Sequence, residues 1–267
     1  MRSHLVAGPW LGEFGWELMC WQALVRKKAE AYDVTTVCAP RGHEVLYADF
    51  AQQFIPHDIR SGTSVMWRRE NVDPGERAKL NEKLDALGGR RFLPQQRNVS
   101  VGEQKFISYR KDCGLVYDLL IHARNRSHEP HRQWSAVQWD DFVEALTPLK
   151  LRIAAIGTEA FCPKGAENLL HRPLANVLET ISMAKLIMGP PSGPLHLAAL
   201  CETPSFVWTR SGVDRCFRWT NRQRFEEVWN PLKTPVTVLE TNEWNPDVEV
   251  AVRVIQELIT RPAISSG

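Results

Sequence analysis

From Val116 to the C-terminus, short apolar runs alternate with helical patterns, and this rhythm constrains the fold more than any other feature of the chain. Val116–Ala123, Arg152–Gly157, Leu186–Gly189 and Ser205–Trp208 read as buried strands. Between and after them, Trp139–Leu149, Leu174–Ala184, Gly193–Leu200 and Asp247–Thr260 carry helical spacing. Strands separated by helices must pair in parallel, which predicts a doubly wound α/β domain. The N-terminal stretch repeats the rhythm. His4–Pro9 is a strand entering a glycine-rich turn (Gly8, Gly12, Gly15), a helix follows over Trp16–Tyr32, then a β-branched strand over Val34–Ala39 and a helix around Glu44–Phe54. Residues 61–101 are charged and irregular, with one helical piece near Gly75–Leu87 and a Gly-Gly-Arg-Arg break at Gly88–Arg91. The expected organisation is two α/β domains, residues 1–112 and 113–267.

Composition narrows the functional classes. A formal net charge of +2 over 267 residues does not announce a nucleic-acid binder in bulk. The six cysteines include no Cys-x-x-Cys pair, so neither a disulfide framework nor a zinc site is expected. Glu13 and Glu17 interrupt the first apolar run, and no stretch reaches the roughly 18 apolar residues that span a bilayer. A soluble, cytoplasmic protein is the expectation.

The most informative segment is Leu186–Leu200, in which an apolar strand ends at Gly189, the turn Pro190-Pro191-Ser192 follows, and a helix opens at Gly193. Ser192 suits an N-cap and Pro194 the first turn, where its missing N–H costs nothing. The exposed N–H groups and the dipole of such a helix suit a diphosphate. His122-Ala123-Arg124-Asn125-Arg126 directly follows the first strand of the second domain, where guanidinium groups can bind phosphate oxygens in pairs. Gly157-Thr158-Glu159 ends the next strand, and Glu159 can accept from a ribose hydroxyl or a base. Residues 208–224 interleave Arg210, Arg215, Arg218 and Trp219 with further arginines, a pattern that suits an anionic donor or acceptor.

The segment Ser192, Gly193, His196, Leu197, Ala198, Ala199 resembles, in order and spacing, the donor-binding motif of the lipopolysaccharide heptosyltransferases (glycosyltransferase family 9), with Pro191 where that family carries an acidic or polar residue. Thr203-Pro204 before the next strand agrees with the same pattern. Gly12-Glu13-Phe14-Gly15-Trp16-Glu17 resembles the family's glycine-plus-acid turn, with Trp16 in place of the expected aspartate. The resemblance implies a GT-B architecture of two Rossmann-like domains facing a cleft. It also implies transfer of a sugar from a nucleotide-sugar to an acceptor hydroxyl by single displacement, with no metal and no further cofactor.

On this resemblance Glu13 or Glu17 is the base. Gly12, Gly15, Arg124, Arg126, Gly157, Glu159, Ser192, Gly193 and His196 hold the donor, and Arg210, Arg215, Arg218 and Trp219 meet the acceptor or a phosphate. The acceptor is a surface glycan or, as in phage DNA glycosyltransferases, a modified base in DNA. The alternative is a non-catalytic nucleotide- or glycan-binding module, which the Trp16 and Pro191 replacements favour. His128-Glu129-Pro130-His131 lacks helical HExxH geometry, and the chain carries no P-loop, dinucleotide fingerprint or Gly-x-Ser-x-Gly elbow.

Overall fold

The computed structural model describes residues 2–59, 72–94, 103–127, 129–213 and 219–260. The chain divides into two units, Met1–Ile107 and Ser108–Gly267, whereas the sequence placed the boundary at Asp112.

In the second unit, strands β5 (Leu119–Ile121), β6 (Ile153–Gly157), β7 (Glu167–Leu170), β8 (Ile187–Gly189), β9 (Ser205–Arg210) and β10 (Val236–Thr241) form one parallel sheet in the order β10-β9-β8-β5-β6-β7. Read from β7, the order is 3-2-1-4-5-6, that of a doubly wound dinucleotide-type sheet. Leu119, Ile121, Ala155, Met188 and Phe206 are wholly buried, because a sheet covered on both faces needs near-continuous apolar strands.

One core cluster joins these strands to α4 (Ala136–Leu146) and α8 (Val248–Thr260). At its centre Trp134 stacks on Trp208 at 4.7 Å and meets Trp139 edge-on at 4.8 Å, and the Trp134 indole donates to the Pro246 carbonyl at 2.9 Å. These three tryptophans are thus core. Ser135 begins α4 with a reciprocal capping box to Gln138.

In the first unit, β1 (His4–Ala7), β2 (Val34–Pro40), β3 (Gln53–His57) and β4 (Arg90–Phe92) pair in parallel in the order β3-β2-β1-β4. After β1 comes one helical run, an α-turn α1 (Phe14–Trp16), a π-turn (Glu17–Trp21) and α2 (Gln22–Ala29). Helix α3 (Pro74–Asp85) precedes β4 and is capped by Asp73, whose carboxylate accepts from the Glu76 amide at 2.8 Å. Trp21 stacks between Trp10 at 5.6 Å and Phe92 at 5.3 Å.

The sequence reading needs correction in two places here. Glu44–Phe54 is not a helix: only Glu44–Leu46 forms a 3₁₀ turn, and Gln53–His57 is strand β3, an edge strand in which Pro56 is tolerated because, among the described residues, no ladder partner lies beyond it. The Gly-Gly-Arg-Arg break runs into strand β4, where the Arg91 guanidinium donates to the Gly8 carbonyl at 2.9 Å. Among the described residues no helix is long and apolar enough to cross a membrane.

Truncating Trp139, which is wholly buried in the tryptophan cluster, removes both its apolar burial and the ring contacts of Trp134 and Trp208. Trp139→Ala is expected to lower folding stability by about 3–5 kcal/mol, read as a shifted urea midpoint with an unchanged slope.

Candidate functional site

In an open parallel sheet, ligands bind beyond the carboxyl ends of the strands where the strand order reverses. In the second unit that point lies between β5 and β8. The loop after β5 is His122–Arg126, and the loop after β8 is Pro190–Ser192 leading into α6 (Gly193–Leu200). The topology therefore brings together the two segments that the sequence singled out separately.

Two glycines shape this place. Gly189 has φ +157°, and a Cβ there would meet the His122 carbonyl at 2.9 Å. Gly157 has φ +126°, and a Cβ would meet the His122 ring at 2.6 Å. His122 fills the room so created, its Nδ1 3.0 Å from the Ile156 carbonyl. Burial holds its pKa down at about 4, so the ring is neutral.

Ser192 occupies the N-cap position of α6 with extended backbone, but its side chain caps nothing. The Oγ is shielded from solvent and makes no hydrogen bond among the described residues. Ser192 holds the N-cap position that the sequence suggests and its carbonyl accepts the first helical bonds, from the Leu195 and His196 amides at 3.2 Å each, but its side chain leaves the first amides of the helix uncapped. One turn on, His196 is buried with Nδ1 equally without a partner. Phe225 stacks on its ring at 5.1 Å and Trp229 meets it edge-on at 4.7 Å. Burial, then the positive charges of Arg224 and Arg132, press its pKa down to about 3.

The arginines form a partly dry cluster. Arg124 is buried, and its guanidinium donates to the Glu129 carbonyl at 2.9 Å and to Gln133 Oε1 at 3.3 Å. Desolvation, followed by repulsion from Arg132 and Arg126, lowers its pKa to about 10. Arg126 forms an ion pair with Glu159 at 2.7 Å without hydrogen-bond geometry at Nε. Arg132 pairs with Glu129 at 2.5 Å and lies 4.3 Å over the Trp244 ring. Guanidinium groups that repel one another in a poorly solvated place are stabilised by an arriving anion.

Sequence reasoning missed Arg132, Gln133, Phe225 and Trp229. Phe225 lies in a π-turn (Arg224–Val228) after the short helix α7 (Asn221–Gln223), and Trp229 directly follows it; no periodicity announces either. The arginine-rich segment 208–224 is described only in part. Trp208 is core, Arg210 ends strand β9 and is exposed, Arg222 is neutralised by Glu240 and Glu226, and Arg215 and Arg218 fall outside the described residues.

In the first unit Gly12 belongs to the turn after β1, while Gly15 is inside α1. Glu13 stands at the N-cap of α1, half-buried, its carbonyl accepting from the Glu17 amide at 3.0 Å. Glu17 is wholly buried: Oε1 accepts from the Tyr47 hydroxyl at 2.7 Å and Oε2 lies 2.7 Å from His43 Nδ1. Among the described residues no group of three His, Cys, Asp or Glu side chains is placed to hold a metal ion.

The two buried neutral histidines carry a pH signature. Their folded pKa values lie below that of a free imidazole, so the unfolded chain binds more protons below about pH 6.5. Stability is complete above that pH and falls as pH drops toward 4, each histidine contributing up to about 1.4 kcal/mol per pH unit. Urea unfolding at pH 7 and pH 5 checks this, and His196→Phe is expected to make the loss shallower.

No protein-family model matches the chain, and no curated protein matches it in sequence. Solved structures do. The E. coli ADP-heptose LPS heptosyltransferase II superposes with a TM-score of 0.61 at 13% identity, covering 96% of this chain and 98% of that one. The E. coli heptosyltransferase WaaC with ADP gives 0.55 at 13% identity over 96% and 99%. A family 9 glycosyltransferase from Veillonella parvula gives 0.56 at 11% identity over 98% and 90%. Matches this complete at identities this low establish a common architecture, and the chain has the fold of the heptosyltransferases and of glycosyltransferase family 9.

Proposed function

We propose that this protein is a glycosyltransferase that moves a sugar from a nucleotide-sugar to an acceptor hydroxyl by single displacement. The observation that carries the reading is the pair of unused polar atoms on one face of α6, Ser192 Oγ and His196 Nδ1, at the switch point of a doubly wound sheet and with the partly dry arginine cluster on the neighbouring loop. Leaving buried polar groups unsatisfied costs roughly 1–3 kcal/mol each, which a folded chain tolerates where a ligand completes the bonding.

In this reading the diphosphate lies at the N-terminus of α6, whose first amides have no acceptor of their own in the helix. Arg126 and Arg132 balance its charge, and Arg124 holds their loop in place through Glu129 and Gln133. As the anomeric bond breaks, negative charge grows on the leaving phosphate, and these groups stabilise it in the place of a divalent metal. His196, neutral and clamped between Phe225 and Trp229, offers a hydrogen bond and no charge. Gly157 ends the adjacent strand β6 and Glu159 follows it, which supports a nucleoside contact there. The base and the acceptor side belong to the turn after β1, around Gly12, Glu13 and Glu17.

Adenosine diphosphate is the first nucleotide to test, because structural neighbours were solved with ADP and with ADP-D-β-D-heptose. The acceptor is a glycan hydroxyl. The described part of the 208–224 segment supports DNA poorly, since Arg222 is already paired with two carboxylates.

Calorimetric and thermal-shift titration with ADP, UDP and GDP tests the donor site. One of them at about 100 times its dissociation constant is expected to stabilise the protein by roughly 2.7 kcal/mol. Ser192→Ala should weaken that nucleotide by about tenfold without lowering the stability of the ligand-free protein, because it removes a hydroxyl that has no partner. Arg126→Ala should weaken binding by a similar factor and reduce its dependence on salt. A well-folded protein that binds none of the three would contradict the reading. Binding without any sugar transfer would assign a non-catalytic module instead.

A further inference from the structure

Among the described residues, every polar group of His122 except Nε2 has a partner within the second unit. The residue directly follows β5 at the point where the strand order reverses. Its amide donates to the Met188 carbonyl at 2.9 Å, and its carbonyl accepts from the Arg124 amide at 2.8 Å. Nδ1 lies 3.0 Å from the Ile156 carbonyl, which can only accept. The proton of this neutral ring therefore resides on Nδ1, and Nε2 presents a lone pair. Nε2 makes no hydrogen bond among the described residues, and unlike Ser192 Oγ and His196 Nδ1 it is not sealed from solvent.

The ring leans toward β6. A Cβ at Gly157 would meet its Nδ1 at 2.6 Å and its Cε1 at 2.7 Å, and the φ of +126° at that position favours glycine. The loops that leave β5 and β6 are tied to each other: the Asn125 amide donates to the Glu159 carbonyl at 2.7 Å, and the Phe161 amide to the Ala123 carbonyl at 3.1 Å. Backbone pairing over Leu119–Ile121 already joins β5 to β6, so the imidazole is not needed to hold the sheet. What it adds is an acceptor of fixed tautomer at the strand ends, where ligands of such sheets bind.

We infer that His122 is a specificity-determining residue whose Nε2 accepts a hydrogen bond from a ribose hydroxyl of the nucleotide. The inference rests on the glycosyltransferase reading, with the diphosphate at the N-terminus of α6, beyond β8. In the sheet β8, β5 and β6 are consecutive neighbours, and along a nucleotide the phosphates, the ribose and the base follow one another in the same way. With the phosphates beyond β8 and the base toward β6, the ribose lies beyond β5, where His122 stands. The chemistry selects the same group. The diphosphate bridge of a nucleotide-sugar has no proton to donate, whereas a ribose hydroxyl has one, and a neutral imidazole protonated on Nδ1 can only accept at Nε2. Glu159 remains for the base or for the other hydroxyl.

The test is calorimetric titration of the full chain with whichever of ADP, UDP and GDP it binds, alongside the 2′-deoxy and 3′-deoxy forms of the same nucleotide. One deoxy form is expected to bind the unmodified protein about tenfold more weakly than the ribonucleotide, as for one lost hydrogen bond. His122→Phe keeps a flat ring in the space left by the glycines and cannot accept. It should bind the ribonucleotide about tenfold more weakly, and the difference from that deoxy form should fall to within about twofold, as for two partners of one interaction. If His122→Phe does not fold, His122→Leu carries the same expectation. Equal binding of all three forms by the unmodified protein overturns the inference and leaves the glycosyltransferase reading standing. So does a difference that survives in the variant, which would assign the hydroxyl to another group. A folded protein that binds no nucleoside diphosphate overturns both.

Discussion

Parallel pairing is the constraint on which the rest of this protein depends. Every pairing between named strands is parallel in both sheets, so each connection must cross the sheet before the next strand can begin. All turns that leave a strand toward a helix therefore collect at one edge of their sheet. In the second unit this gathers His122–Arg126 and Pro190–Ser192 although more than sixty positions separate them in sequence. In the first unit it gathers the turn after β1, with Glu13, and the turn after β2, with His43. The chemistry follows from the topology; the helices supply only the facing and the caps.

Both places show polar groups held out of water with incomplete or unusual partners. Burial of a histidine without a charge partner keeps it neutral, which His122 and His196 both do. Burial of an arginine among other arginines leaves a cation that gains from an anion, which is the condition of Arg124. The glycines Gly157 and Gly189 permit this crowding, because a side chain at either would strike His122. A π-turn accompanies each place, at Glu17–Trp21 and at Arg224–Val228, and such turns recur where a helix redirects a functional side chain.

What could be read from the sequence divides along the sheets. The central strands β1, β2, β5, β6, β8 and β9 are apolar or β-branched and were legible. The four edge strands β3, β4, β7 and β10 were not: Gln53–His57 contains a proline, Arg90–Phe92 has three residues and two arginines, and Glu167–Leu170 opens on two polar residues. Edge strands carry such residues because an apolar edge would invite pairing with another chain. The candidate site shows the same limit. Ser192, His196 and Arg126 announce themselves through spacing around a strand end, whereas Phe225, Trp229 and Arg132 reach their places through irregular turns whose path no periodicity encodes. The order 3-2-1-4-5-6, which makes the switch point a site, is a property of strand pairing and appears only in the structure.

The most direct measurement of the central claim is a crystal structure of the protein grown with a nucleoside diphosphate. The account predicts phosphate oxygens within hydrogen-bond distance of the Gly193 amide and Ser192 Oγ, with an arginine of the loop after β5 on the same phosphates. A diphosphate bound elsewhere, with Ser192 and His196 still without partners, would contradict it.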